Sequence, residues 1–405
     1  MSTNAAGRRR ANEVTRGEVI AFRLGAQHLA ERLSPAGLLA AAGACGVQNS
    51  PPGSALLALQ ARVRDLARAD VDHAVAEEKS LLQTWSMRGA PFYFPTADAA
   101  VFTAGVLPPT EAALRHFIPG IEQSVARLGI DVTAAVELTR AEIGGVLAGR
   151  RLAIGELGAE LAERITGRLT KDQRPVWQAE GPHAPGQPVG EAVVHFCLRV
   201  LALQRVVCFA PRSDNKAPFV LVEEWLGEPV PDVEAPAARA ELLRRYLRCY
   251  GPASRAGFAA WLGVTVGDAE PWWSLLEGEL TRVEFGGASW LLTSDLDALR
   301  ASSAPQGVRM LPPRDPYTQL RDRATIVDEK YHRQIWKAVG ELGTLLVDGE
   351  IVGTWRPRKS GRKLVVTVEA FGPLSERAMK ELREEAQHVA RLRGAASAAV
   401  EFGGR

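Results

Sequence analysis

The chain has 405 residues, 46% of them hydrophobic and 24% charged, with a formal net charge of +2. This is globular composition with room for about two to four domains, and it provides no global field to draw the chain onto nucleic acid, so any basic surface must be local. The four cysteines, Cys45, Cys197, Cys208 and Cys249, are far apart and form no CxxC pair, which argues against a disulfide framework or structural zinc and fits a reducing cytoplasm.

Residues 1–14 carry Arg8, Arg9 and Arg10 with no apolar segment behind them, so they read as a disordered basic arm rather than a signal peptide. Thr15 and Glu18 form a capping box that opens a helix to about residue 32. Ser34-Pro35 starts a second helix, a cap followed by proline in the first turn. Then comes Cys45-Gly46-Val47-Gln48-Asn49-Ser50-Pro51-Pro52-Gly53. Its prolines and glycine keep the backbone out of helix, which sets Gln48, Asn49 and Ser50 on a turn between apolar helices. A polar side chain fixed there can hold a water or a base edge; the plainer alternative is a loop whose amides cap helix ends. Ser54 caps a third helix with Ala55, Leu56, Leu59 and Val63 at helical spacing. A short helix over 70–78 and strands over 81–87 and 92–94, around Arg88-Gly89, complete a winged-helix pattern.

The pattern returns twice. In the second copy Thr139 and Glu142 read as a capping box for a helix ending at Gly149, with further helices over 154–165 and 191–203. Strands over 206–210 and 219–222 flank a turn-rich candidate wing, 211–216. In the third copy an amphipathic helix over 241–250 stops at Gly251-Pro252, and Ser254 starts the next. Asp268 caps one more through residue 276, and a hairpin turns at Gly286-Gly287. Its second helix carries Asp268, Glu270, Trp272, Trp273 and Glu277 without Lys or Arg, so phosphate would repel it and the copy reads as scaffold.

After Pro305 the pattern changes to strands. Asp348-Gly349 signals a type I′ hairpin. Arg356, Arg358, Lys359, Arg362 and Lys363 place five cations in an eight-residue loop, either a solvated hairpin tip or a set of phosphate contacts. Residues 374–393 form a charged amphipathic helix, and the tail from Gly394 reads as loose. The seven histidines lack metal-ligand spacing, and Walker, GxGxxG and GxSxG motifs are missing; no metal or cofactor is expected. No apolar run approaches the ~18 residues of a membrane span.

Several motifs carry a resemblance: Gln48-Asn49-Ser50, Thr84-Trp85-Ser86-Met87-Arg88-Gly89, Tyr250-Gly251-Pro252-Ala253, Met310-Leu311-Pro312-Pro313-Arg314-Asp315, and residues 347–355 with Trp355 last. In order and spacing, over residues 16–394, they resemble the AlkZ/YcaQ family of winged-helix DNA glycosylases. The resemblance implies an α+β chain of three tandem winged-helix modules and a C-terminal β-rich, barrel-like domain around a DNA-sized concavity. The expected divisions are 1–14, the arm; 15–110, with the Gln48 turn; 111–235; 236–304, the scaffold copy; and 305–405. It also implies metal-free excision of alkylated or crosslinked purines from double-stranded DNA, by a cytoplasmic, nucleoid-associated monomer.

Gln48 matches the first position of the family's Gln-x-Gln or Gln-x-Asp turn, and Ser50 stands at the last. Ala90-Pro91 replaces the residues that usually follow the family's Trp-x-Met-Arg-Gly. The catalytic candidates are therefore Gln48 and Ser50. The DNA-contact candidates are Asn49, Arg88, Arg356, Arg358, Lys359, Arg362 and Lys363. Ser50 can orient a water through Gln48 but cannot serve as a carboxylate base. Two readings stay open, a monofunctional glycosylase and a catalytically inactive DNA-binding protein or regulator.

Overall fold

A computed structural model describes residues 13–213, 216–230, 233–337 and 339–403. Most of the expected arm, Arg8, Arg9 and Arg10 included, and the wing-tip residues Asp214 and Asn215 lie outside them. At the end of the arm Glu13 bridges Glu284, and Val14 is buried with Phe22, Val283 and Leu291 rather than loose.

The Thr15 capping box forms as read, with Glu18 N donating to Thr15 Oγ1 at 3.2 Å and Thr15 N to Glu18 Oε2 at 2.7 Å. Its helix, Arg16–Ala26, stops short of residue 32 because His28 takes a left-handed φ of 56°. The first sheet has strand order β1–β3–β2, with β1 Val47–Gln48, β2 Leu81–Trp85 and β3 Pro91–Pro95. Gln48 is therefore a strand residue paired with Phe92, and the turn begins after it.

Where the second copy was expected, helices Val132–Leu147, Ile154–Thr166 and Val189–Leu203 pack beside the hairpin β4 Val207–Phe209 and β5 Phe219–Leu221. Helix Val132–Leu147 starts at the Asp131 cap, about two turns before Thr139, whose hydroxyl bonds back to Ala135 O inside the helix. Where the third copy was expected lie helices Ala235–Tyr250 and Arg255–Leu262 and the hairpin β6 Leu280–Glu284 and β7 Ala288–Leu292. The helix expected from Asp268 breaks into a turn at Glu270–Trp273 and a 3-10 stretch at Ser274–Glu279. Trp272 is fully buried there, its Nε1 donating to Gly105 O at 2.6 Å.

The C-terminal sheet runs β12–β11–β10–β9–β8, with β8 Val308–Leu311, β9 Gly343–Val347, β10 Glu350–Ser360, β11 Lys363–Ala370 and β12 Ser397–Phe402. It is open, and the barrel-like closure is not made: helix Glu376–Leu392 lays Leu382, Ala386 and Val389 against the face a barrel would have folded inward. The tail is likewise not loose, since β12 pairs in parallel with β11 after that helix crosses over. Asp348 and Gly349 both take positive φ, as a type I′ turn requires.

Two buried arginines tie the modules together. Arg23 donates to the carbonyls of Gly251 and Pro252 and to Asp322. Arg62 holds Asp315 through two 2.8 Å bonds, with Gln27 and the Ala58 carbonyl completing its shell.

Candidate functional site

Gln48 sits at the end of β1, where Asn49 N donates to Pro91 O at 2.8 Å and Ser54 Oγ to the Gln48 carbonyl at 3.1 Å. Pro91, which departs from the resembled motif, thus serves through its carbonyl, which any residue would supply. Asn49 is buried, and its Oδ1 accepts from Gly53 N at 2.8 Å and Ala55 N at 3.4 Å, capping helix Ser54–Gln60. Ser50 is half-buried at the turn that follows. Gln48 as a whole is only 2% exposed. Its Oε1 accepts from Arg88 Nη2 at 3.0 Å, while its Nε2 meets no acceptor among the described residues.

Arg88 lies in the turn Met87–Gly89 between β2 and β3, with a left-handed φ of 57°. Its second amino group, Nη1, donates to the Trp261 carbonyl near the end of helix Arg255–Leu262, so it links the β2–β3 turn to a helix 173 residues further on. Burial pushes the guanidinium down to about 10, which leaves it charged at neutral pH.

Arg88 also forms part of the wall of a cleft of about 670 Å³. Trp261, Arg314, Arg321, Arg323, Trp336, Lys337 and Glu341 line it as well. Five cations thus face one acid. Trp336 is anchored by Nε1 donating to Thr318 O at 3.1 Å, and the Arg323 guanidinium lies 4.4 Å over its ring. Arg314 pairs with Glu341 at 3.2 Å. Burial raises the Glu341 carboxyl above its ordinary value, against the pull of Arg314 and Arg323.

Of the residues named from sequence only Arg88 lines this cleft, with Gln48 bonded behind it; Trp261, Arg314, Arg323, Trp336, Lys337 and Glu341 were not named as site residues. A signal existed: three arginines, Arg321, Arg323 and Arg333, and two lysines, Lys330 and Lys337, accompany Trp336 between residues 321 and 337. The other named cations, Arg356, Arg358, Lys359, Arg362 and Lys363, are all exposed. They are not in a loop: three lie on β10, Arg362 is in the tight turn, and Lys363 opens β11 opposite Ser360.

A cationic, tryptophan-bearing cleft, one of whose wall arginines bonds a buried amide, suits a protein that handles nucleic acid. The family described as DNA glycosylase AlkZ-like matches residues 41–392, and the chain belongs to that family. The interstrand DNA cross-link repair glycosylase of Streptomyces sahachiroi is 29% identical over 393 residues, covering 93% of this chain and 96% of that protein. The solved structure of the Streptomyces sahachiroi DNA glycosylase AlkZ is similar with a TM-score of 0.74 and 25% identity, covering 96% of this chain and 100% of that one. The chain is thus related to DNA repair glycosylases along nearly its whole length.

Proposed function

We propose that the protein is a monofunctional DNA glycosylase that hydrolyses the N-glycosidic bond of alkylated purines in double-stranded DNA, crosslinked ones included. The observation that carries this is the Gln48 carboxamide, buried and oriented by Arg88, which itself lines a cationic cleft. An N-alkylated purine is already a cation. Its bond to C1′ breaks with the electron pair going to the base, which leaves neutral, and a water oxygen bonds to C1′ and gives up its proton to solvent. Oε1 keeps a lone pair beyond the one Arg88 uses and can hold that water, with Ser50 orienting it. DNA phosphates drawn in by the cleft supply the negative charge that steadies the sugar cation. No metal or cofactor takes part in this reaction.

The domain reading belongs to the same proposal: an arm over 1–14, winged helices over 15–110, 111–235 and 236–304, and a β-rich domain over 305–405. The element order, helices followed by a hairpin in each of the three, supports it. In this reading the third copy is scaffold and the protein acts as a monomer, cytoplasmic and nucleoid-associated. No helix among the described residues is long and apolar enough to cross a membrane. Arg356, Arg358, Lys359, Arg362 and Lys363 grip phosphates along the β10–β11 hairpin. Asn49 borders a smaller cleft of about 300 Å³ with Arg68 and Arg212, from which a contact to DNA is open to it.

Ser50, where a carboxylate would make a stronger base, favours a second reading: a DNA-binding relative that releases no base. The test is chromatography of free base, with counting of abasic sites, after incubation with a methylated duplex and a crosslinked duplex. Released base supports excision; tight binding with no release from either duplex supports the second reading.

A further inference from the structure

We propose that Arg88 is the positioning residue of the catalytic amide rather than a grip on DNA, and that it holds Gln48 in register only while the third module is docked. The proposal rests on the base-excision reading. A carboxamide has two ends of nearly equal shape, one accepting and one donating, and its neighbours decide which end faces which way. Here the Arg88 donor fixes Oε1 on its own side, and Nε2 is left as a buried donor without an acceptor among the described residues. Such a donor costs stability unless a ligand atom accepts from it. The matching ligand atom is an acceptor on the nucleotide, a purine ring nitrogen or the deoxyribose ring oxygen, while the remaining lone pair of Oε1 holds water.

Arg88 is itself fixed from outside its module. The Trp261 carbonyl is among the last of helix Arg255–Leu262, where carbonyls lack helical partners and the dipole favours a cation. The turn around Arg88 is closed by Gly89 N donating to Ser86 O at 3.0 Å and Ala90 N to Met87 O at 3.2 Å. The third module approaches so closely that a Cβ on Gly263 would lie 2.9 Å from Arg88 Cα. Gly263 also has a φ of +99°, so glycine is required there twice over. A phosphate grip needs only an exposed charge, which a lysine supplies; a guanidinium shared between an amide oxygen and a helix-end carbonyl uses its fork.

The test compares wild type with Arg88→Lys and with Gly263→Ala, which crowds Arg88 without touching its charge; melting curves verify folding. Each is measured for saturating base-release rate, duplex affinity and the side-chain amide resonance of Gln48, assigned by its loss in Gln48→Ala. Positioning predicts that both variants lose about tenfold or more in saturating rate, keep duplex affinity within about twofold and shift the Gln48 resonance. An Arg88→Lys protein that keeps its saturating rate and the Gln48 resonance overturns the proposal, whatever happens to affinity. If wild type releases no base, the base-excision reading fails, and the resonance alone decides Arg88: a shift in both variants supports positioning, and no shift overturns it.

Discussion

Arg62 and Asp315 are 253 residues apart in the chain, and their side chains meet in a buried two-pronged ion pair with both bonds at 2.8 Å. Arg62 follows the helix whose start caps against Asn49, and Asp315 follows Arg314 in the cleft wall. The pair therefore fixes the spacing between the Gln48 strand and the cleft. Removing one partner strands a buried charge, so Asp315→Ala should destabilise the fold by ~3–5 kcal/mol in chemical denaturation. The double change Arg62→Met with Asp315→Leu should recover much of that loss. A double variant as unstable as the sum of the singles would assign the pair no such coupling.

The exposed cations of the β10–β11 hairpin should carry sequence-independent affinity. Changing Arg358, Lys359, Arg362 and Lys363 to Ala should weaken duplex binding and flatten its salt dependence by about one unit of log–log slope per lost phosphate contact. Affinity and slope equal to wild type would leave the hairpin as a solvated edge.

The third module should behave as scaffold. Trp272→Ala removes a fully buried indole whose Nε1 is hydrogen-bonded and should cost ~3–5 kcal/mol. Glu270→Lys only disturbs an exposed pair with Arg255 and should leave duplex binding near normal. Loss of sequence-selective binding in the Glu270 variant would make the module a reader.

Among the described residues Glu341 is the one acid lining the cleft, with Arg314 and Arg323 nearby and its carboxyl raised by burial. As pH falls through that raised value the cleft loses a negative charge, so duplex affinity should rise on mild acidification. Glu341→Gln should bind about two- to fivefold tighter at neutral pH and lose this part of the pH dependence. Weaker binding by the glutamine variant would mean that the carboxylate contacts DNA or orders Arg314.

Local signals made much of the fold legible. The Thr15 capping box, the Ser254 cap, the Asp348-Gly349 turn and the hairpin strands all stand where residue chemistry put them. What the sequence hid depends on long-range pairing. Gln48 is a strand residue because β3 lies beside it, and β12 forms because β11 offers it an edge. Thr139 looked like a cap because a helix interior and a helix start can share the same residues; Asp131 decides it. The cleft wall between residues 314 and 341 is built of short 3-10 turns and one α-helical turn, His332–Ile335, all too short for a periodic signature.

The most direct measurement is base release from a duplex carrying an alkylated purine, at saturating protein, by wild type, Gln48→Ala and Ser50→Asp. An amide that holds water acts through geometry, an effect typically worth ~100-fold or more, so Gln48→Ala should lose most of its rate while keeping duplex affinity. Ser50→Asp should release base faster than wild type, because it adds the carboxylate that the turn lacks. Full activity in Gln48→Ala would put the chemistry elsewhere, and no release by any of the three from any alkylated duplex would contradict base excision altogether.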